Sequence, residues 1–125
     1  MVLGVCVATP AFASDTIDVM DTGQLLANGA AVSTEVTVTC SPQFPGDEVF
    51  VRLILTQAVR KDEITTADSG PFSNLRVPCD DQPHTLTITL VPSPLAFQKG
   101  SAFAQATAGG MVTRFSTNDV IDLVK

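Results

Sequence analysis

The most regular feature of the chain is a two-residue alternation of apolar and polar side chains. From Ala31 to Cys40 the positions Val32, Val36, Val38 and Cys40 are apolar, with Thr34 the exception, and Ser33, Glu35, Thr37 and Thr39 are polar. Successive side chains of a strand point to opposite faces, so this period predicts a strand with one face on a core and one in water. His84 to Val91 repeats it, with Leu86, Ile88 and Leu90 on one face and Thr85, Thr87 and Thr89 on the other. Branched Thr and Val side chains are stiff at χ1 and pack well on a pleated surface.

Val49 to Leu55 is apolar on both faces. Val49, Val51, Leu53 and Leu55 form one face, and Phe50, Arg52 and Ile54 form the other. A second apolar face of this kind either binds a partner or ligand or lies under a neighbouring loop or strand. Ser101 to Ala108 places Ala102, Ala104, Ala106 and Ala108 on one face, small side chains that predict close packing. Shorter strands are expected at Ile17–Met20, Ile64–Ala67, Leu75–Cys79, Met111–Phe115 and Val120–Val124, the last balanced against one helical turn over 118–123.

Turn residues separate these runs. Asn28-Gly29 and Gly109-Gly110 suit positive φ, and Pro42 to Gly46, Ser69-Gly70-Pro71, Gln82-Pro83, Pro92-Ser93-Pro94 and Lys99-Gly100 interrupt the rest. Short strands at regular spacing, with no helical period, predict an all-β chain: an antiparallel β-sandwich of about seven to nine strands, with a barrel as the second choice.

The first thirteen residues, MVLGVCVATPAFA, depart from this pattern. Ten of them are apolar and none is charged, and they end in Ala11-Phe12-Ala13. Small residues flanking such an ending fit a signal-peptidase site, so 1–13 are read as a signal peptide and 14–125 as one β-sandwich domain. No Lys or Arg precedes the apolar run, which marks the start of the leader as truncated. A buried first strand and a lipid anchor at Cys6 are the alternatives. The segment is shorter than the roughly 20 apolar residues a membrane-spanning helix needs, so no integral membrane segment is expected in the mature chain.

The leader changes the cysteine arithmetic. Of three cysteines, Cys6 lies inside it, leaving Cys40 and Cys79. An even pair in an exported domain reads as a disulfide, with two free buried thiols as the alternative. Cys79 stands at the end of a strand just before a turn, so the bridge is expected to pin loop ends.

Composition then narrows the function. The chain has 125 residues, 13 Asp and Glu against 7 Lys and Arg, and a net charge of −6. That balance argues against nucleic acid and anionic membranes as partners. One His excludes centres that need several imidazoles, and no cofactor is expected. The absence of Trp and Tyr weakens a sugar-binding platform and removes the tyrosine corner and core Trp of antibody-type domains.

Few residues suggest chemistry. His84 follows Asp80 and Asp81, the outline of a Ser-His-Asp site, yet no nucleophile motif accompanies it and a turn or strand-edge role is expected. If Cys40 and Cys79 bond, the acids Asp47, Glu48, Asp80 and Asp81 lie near one pole, a weak Ca²⁺ candidate without EF-hand spacing. Phe44, Phe72 and Phe97 sit in Pro/Gly-rich loops, where they either cap the ends of the sandwich or stand out as anchors.

The residues Asp21-x-Gly23, Asn28-Gly29, the run Val77-Pro78-Cys79-Asp80-Asp81-Gln82-Pro83-His84-Thr85-Leu86-Thr87-Ile88-Thr89-Leu90 and Phe97-x-Lys99-Gly100-Ser101-Ala102 carry a resemblance. Most of the mature chain resembles a family of small secreted actinobacterial proteins of unknown function. The resemblance implies an Ig-like fold and life outside the cell, and no activity. The expectation is therefore an exported, non-catalytic binding or scaffolding module for an extracellular protein or small ligand. The alternatives are a small-ligand carrier similar to the chromoprotein-type apoproteins, which have two disulfides, and a surface-polymer subunit.

Overall fold

The structure, a computed structural model, describes residues 15–70 and 75–125. The leader 1–13, Cys6 and Phe72 lie outside the described residues. Nine strands follow one another: β1 (Thr16–Val19), β2 (Thr22–Leu26), β3 (Ala31–Thr39), β4 (Glu48–Arg60), β5 (Glu63–Asp68), β6 (Arg76–Pro78), β7 (His84–Leu90), β8 (Gly100–Gly109) and β9 (Arg114–Val124). A 3₁₀ turn over Ala27–Gly29 is the one helical element among the described residues. Among the described residues no helix is long and apolar enough to cross a membrane.

The strands form one mixed sheet in the order β1-β3-β2-β9-β8-β4-β5, with β7 on the other edge of β3 and β6 beside β4. It folds on itself into a sandwich-like body. Val32, Val36 and Val38 of β3 share one buried cluster with Val49, Val51, Leu53 and Leu55 of β4 and the alanines of β8. Each fully buried Val or Leu contributes about 1.5–3 kcal/mol relative to exposure. The inward alanines have the predicted consequence: β1 packs closely against β8 and β9, with which it forms no ladder.

Two elements differ from the sequence expectation. The chain bends after β1, at Met20-Asp21, and β2 pairs antiparallel with β3 on one side and parallel with β9 on the other, with Thr22, Gly23 and Gln24 opposite Asp122, Leu123 and Val124. The sheet is therefore mixed and not wholly antiparallel. The strand β2 escaped notice because its inward positions are Gly23 and Leu25, a weak alternation. A Cβ at Gly23 would lie 2.9 Å from Leu123 Cδ2, so glycine lets the two halves of the sheet meet there. The second difference is β9. Two short strands were expected, with a helical turn as an alternative over 118–123. One unbroken strand forms, because residues 114–123 all pair with β8. Cross-strand pairing outweighs the weak local pattern of Thr117-Asn118-Asp119.

A short bridge crosses the other seam of the body. Thr66 and Ser93 exchange backbone hydrogen bonds of 3.1 and 3.0 Å. The sheet thus comes near the closed barrel that stood second in the sequence reading, while keeping a sandwich-like core.

Candidate functional site

The bond between Cys40 and Cys79 joins residues 39 apart in sequence. Cys40 follows β3 and Cys79 follows β6, so the bridge ties strand ends, as expected from the place of Cys79. Backbone bonds extend the tie: the Cys79 N–H donates to Asp47 O, and the Asp81 N–H to Cys40 O, both at 2.9 Å. The loop 40–47, the turn 79–83 and the β8–β9 tip 110–113 consequently share one pole.

That pole presents apolar side chains to solvent. Phe44 is 37% exposed, Phe50 42%, Val112 66% and Met111 86%. Met111 and Val112 form the hairpin tip, closed by a Gly110 N–H bond to Thr113 O of 2.8 Å. Phe44, Phe50 and Met111 surround a hollow of about 430 Å³ over Gly109 and Gly110. A second hollow of about 370 Å³ adjoins it along β8, lined by Phe50, Arg52, Ile54, Thr107, Gly109 and Arg114.

The register explains this surface. Phe50 on β4 stands opposite Gly109 on β8, which stands opposite Arg114 on β9. The next outward rows are Arg52, Thr107 and Ser116, then Ile54, Gln105 and Asn118. Phe50, Arg52 and Ile54 share one outward face, with Phe50 exposed and Arg52 and Ile54 half-buried. Arg52 is held in a bidentate pair with Asp68, at 3.0 and 2.6 Å. That contact raises Arg52 and, with the Gly70 N–H adding to it, holds the Asp68 carboxyl below the usual range. On the other side of Phe50, the Arg76 guanidinium lies 6.0 Å from the ring centroid and 3.5 Å from Glu48.

The four acids of the calcium reading go separate ways. Asp47 is 4% exposed and accepts the Gln43 N–H at 3.0 Å, fixing the loop after Cys40. Glu48 faces Arg76, and Asp81 accepts the Ser41 hydroxyl at 2.6 Å. Asp80 meets His84 Nε2 at 2.9 Å, and that bond, followed by the Gln82 N–H, keeps its carboxyl below the usual range. Among the described residues no group of three or more His, Cys, Asp or Glu converges on a point that would hold a metal ion. His84 sits at the start of β7 on a half-exposed edge with Asp80 as its partner, and the nearby Ser41 hydroxyl serves Asp81 instead.

Phe44 and Phe97 divide the two roles open to loop phenylalanines. Phe97 is 2% exposed and closes the opposite pole, whereas Phe44 stands out. Sequence reasoning missed Gly109, Met111, Val112 and Arg114 as parts of one surface. The signal was present in a weak form: two bulky apolar residues directly follow Gly109-Gly110, where a polar hairpin tip is usual. Neither glycine has positive φ, contrary to the turn reading. Comparison of the chain with family models and with curated proteins gives no match.

Proposed function

We propose that the chain is an exported, non-catalytic Ig-like module that binds or scaffolds a partner outside the cell, and that the contact forms at the disulfide pole. The observation that carries this reading is the cluster of Phe44, Phe50, Met111 and Val112, exposed together at the pole where the disulfide ties strand ends. Aromatic and Met side chains are enriched at interface centres, and anchors fixed before contact lose less entropy on binding. The leader-like segment and the disulfide support the compartment, since such bonds persist in oxidising surroundings.

The test is a pull-down from cell-envelope and medium fractions with the oxidised protein. A Phe44→Ser, Met111→Ser, Val112→Ser triple variant serves as the control. A partner retained by the parent and lost from the variant is expected. Equal retention by both proteins, or none by either, refutes the assignment of the pole. A second reading, small-ligand carriage, is favoured by the hollows, whose volumes fall in the range of about 300–1,000 Å³ usual for ligand pockets.

A further inference from the structure

Gly109 occupies a position where the fold has no use for a glycine. Of the described glycines, Gly29, Gly46, Gly70 and Gly100 have positive φ. Gly23 and Gly110 are required by close approach, a Cβ at Gly110 falling 2.7 Å from Glu48 O. Gly109 has neither property. Its φ is ordinary for a strand, and the nearest atom to an added Cβ is Arg114 Cγ at 4.0 Å. Glycine within a strand weakens it and often marks a place where a ligand or another backbone approaches closely.

What the missing side chain leaves is a gap between two walls. Phe50 and Arg114 flank Gly109 across the ladder. Strands lie about 4.8 Å apart, so these walls stand about 10 Å from each other. One wall is an aromatic ring with 42% exposure. The other is a guanidinium with a distinctive charge situation. Arg52, Arg60 and Arg76 each have a carboxylate within 4 Å, at 2.6, 3.4 and 3.5 Å. Arg114 alone of the arginines has none, in a chain with 13 acidic residues. The nearby acids are engaged: Glu48 with Arg76, and Asp47 with the Gln43 amide.

We propose that the second hollow, lined by Phe50, Gly109 and Arg114, binds a small amphipathic carboxylate, an aryl- or alkyl-carboxylic acid. Its apolar part lies on Phe50 and over Gly109, and its carboxylate pairs with Arg114. The inference rests on the reading of the chain as a binding module and names the ligand chemistry of one part of that surface. Charge complementarity selects an anion, because the one unpaired charge beside the gap is positive. A planar guanidinium matches a carboxylate in bidentate geometry.

The test uses three probes with one skeleton: 4-phenylbutyrate, 4-phenylbutan-1-ol and 4-phenylbutylamine. Each is titrated into the ¹⁵N-labelled, oxidised protein, and amide shifts are followed. Phenylbutyrate is expected to shift Gly109, Phe50 and Arg114 saturably and to bind about fivefold more tightly than the alcohol, with the amine weakest. Arg114→Gln brings phenylbutyrate to the level of the alcohol. Gly109→Val fills the gap, removes binding of all three probes and leaves the melting temperature unchanged or raised.

Several results overturn the proposal. They are an amine that binds as tightly as the acid, a preference for the acid that survives Arg114→Gln, and undiminished binding to Gly109→Val. A lowered melting temperature for Gly109→Val shows that the fold does need the glycine, and the argument from it falls. If none of the probes shifts Gly109 while the pull-down retains a partner, the ligand assignment fails and the binding-module reading stands. If the probes behave as expected and no partner is retained, the fault lies with the partner reading of the pole alone.

Discussion

At the pole of Phe97 the core is closed by a buried ring; at the pole of Cys40 and Cys79 it is closed by a covalent bond, and the rings remain outside. Phe97 reaches its place because the connection 91–99 folds back over the core. Its N–H donates to Gly29 O at 2.9 Å, and its own carbonyl lies 1.9 Å from where a Gly29 Cβ would be. The buried Gln57 side chain completes this end, accepting the Gln98 N–H at 2.8 Å and donating to Gln98 O at 2.7 Å. Among the described residues no buried side-chain nitrogen or oxygen lacks a hydrogen-bond partner, those of this end included. The disulfide pole is ordered by other means. The bond ties the ends of the loop that carries Phe44, the Gly110–Thr113 hydrogen bond closes the tip that carries Met111 and Val112, and these apolar side chains stand out to solvent.

The comparison breaks most strongly at the plug. Phe97→Ala empties a fully packed site, and the expected loss is about 3–5 kcal/mol, read by urea unfolding. A loss under about 1 kcal/mol would show that the connection 91–99 closes the core without its ring. The staple comes next. The closed loop spans 39 residues in sequence, and chain entropy then gives a loss of about 4 kcal/mol or less for the Cys40→Ala, Cys79→Ala double variant. Hydrogen exchange should speed up first at Asp47, Cys79 and Asp81, whose backbone bonds surround the bridge. Faster exchange at Phe97 before these sites would contradict the division of labour between the poles.

The smallest effect sharpens the outer face. Asp68 is held below the usual carboxylate range, chiefly by the Arg52 hydrogen bond. Its folded pKa is lowered, so the unfolded chain takes up this proton at the higher pH. The stabilisation is complete above the ordinary aspartate value of about 3.9 and is lost as the pH falls through it towards the folded value. Both side chains of the pair are more than a third exposed, at 41% and 35%, and solvent screening keeps the contribution small. Asp68→Asn should therefore lower stability slightly at pH 7 and flatten the acid limb below about pH 4, where the two proteins converge. An unaltered acid limb would mean that the Arg52 pair does not persist in solution, leaving Arg52 as a second free cation beside the hollow.

Much of the strand layout was legible from local pattern. Val32, Val36 and Val38 point inward as their period requires, as do Leu53 and Leu55 and the four alanines of β8. The face of Phe50, Arg52 and Ile54 was legible as a unit, because alternation assigns faces without reference to other strands. Its surroundings were not. Thr107, Gly109 and Arg114 lie more than 50 residues away in sequence and join that face through the registers of β8 with β4 and β9. The four acids near the disulfide illustrate the converse. Closeness along the chain to the cysteines suggested a cluster, yet each side chain turns to its own nearby partner.

The sequence by itself determined the all-β class, the inward faces of the main strands and the pair Cys40 and Cys79. These follow from two-residue alternation and from an even cysteine count beyond residues 1–13. Tertiary structure alone decided the parallel join of β2 to β9, the single long β9, the burial of Phe97 against the exposure of Phe44, and the gap over Gly109. The physical reason is common to all four. Alternation is a property of one strand, whereas pairing, plugging and empty space are set by which distant strands stand side by side.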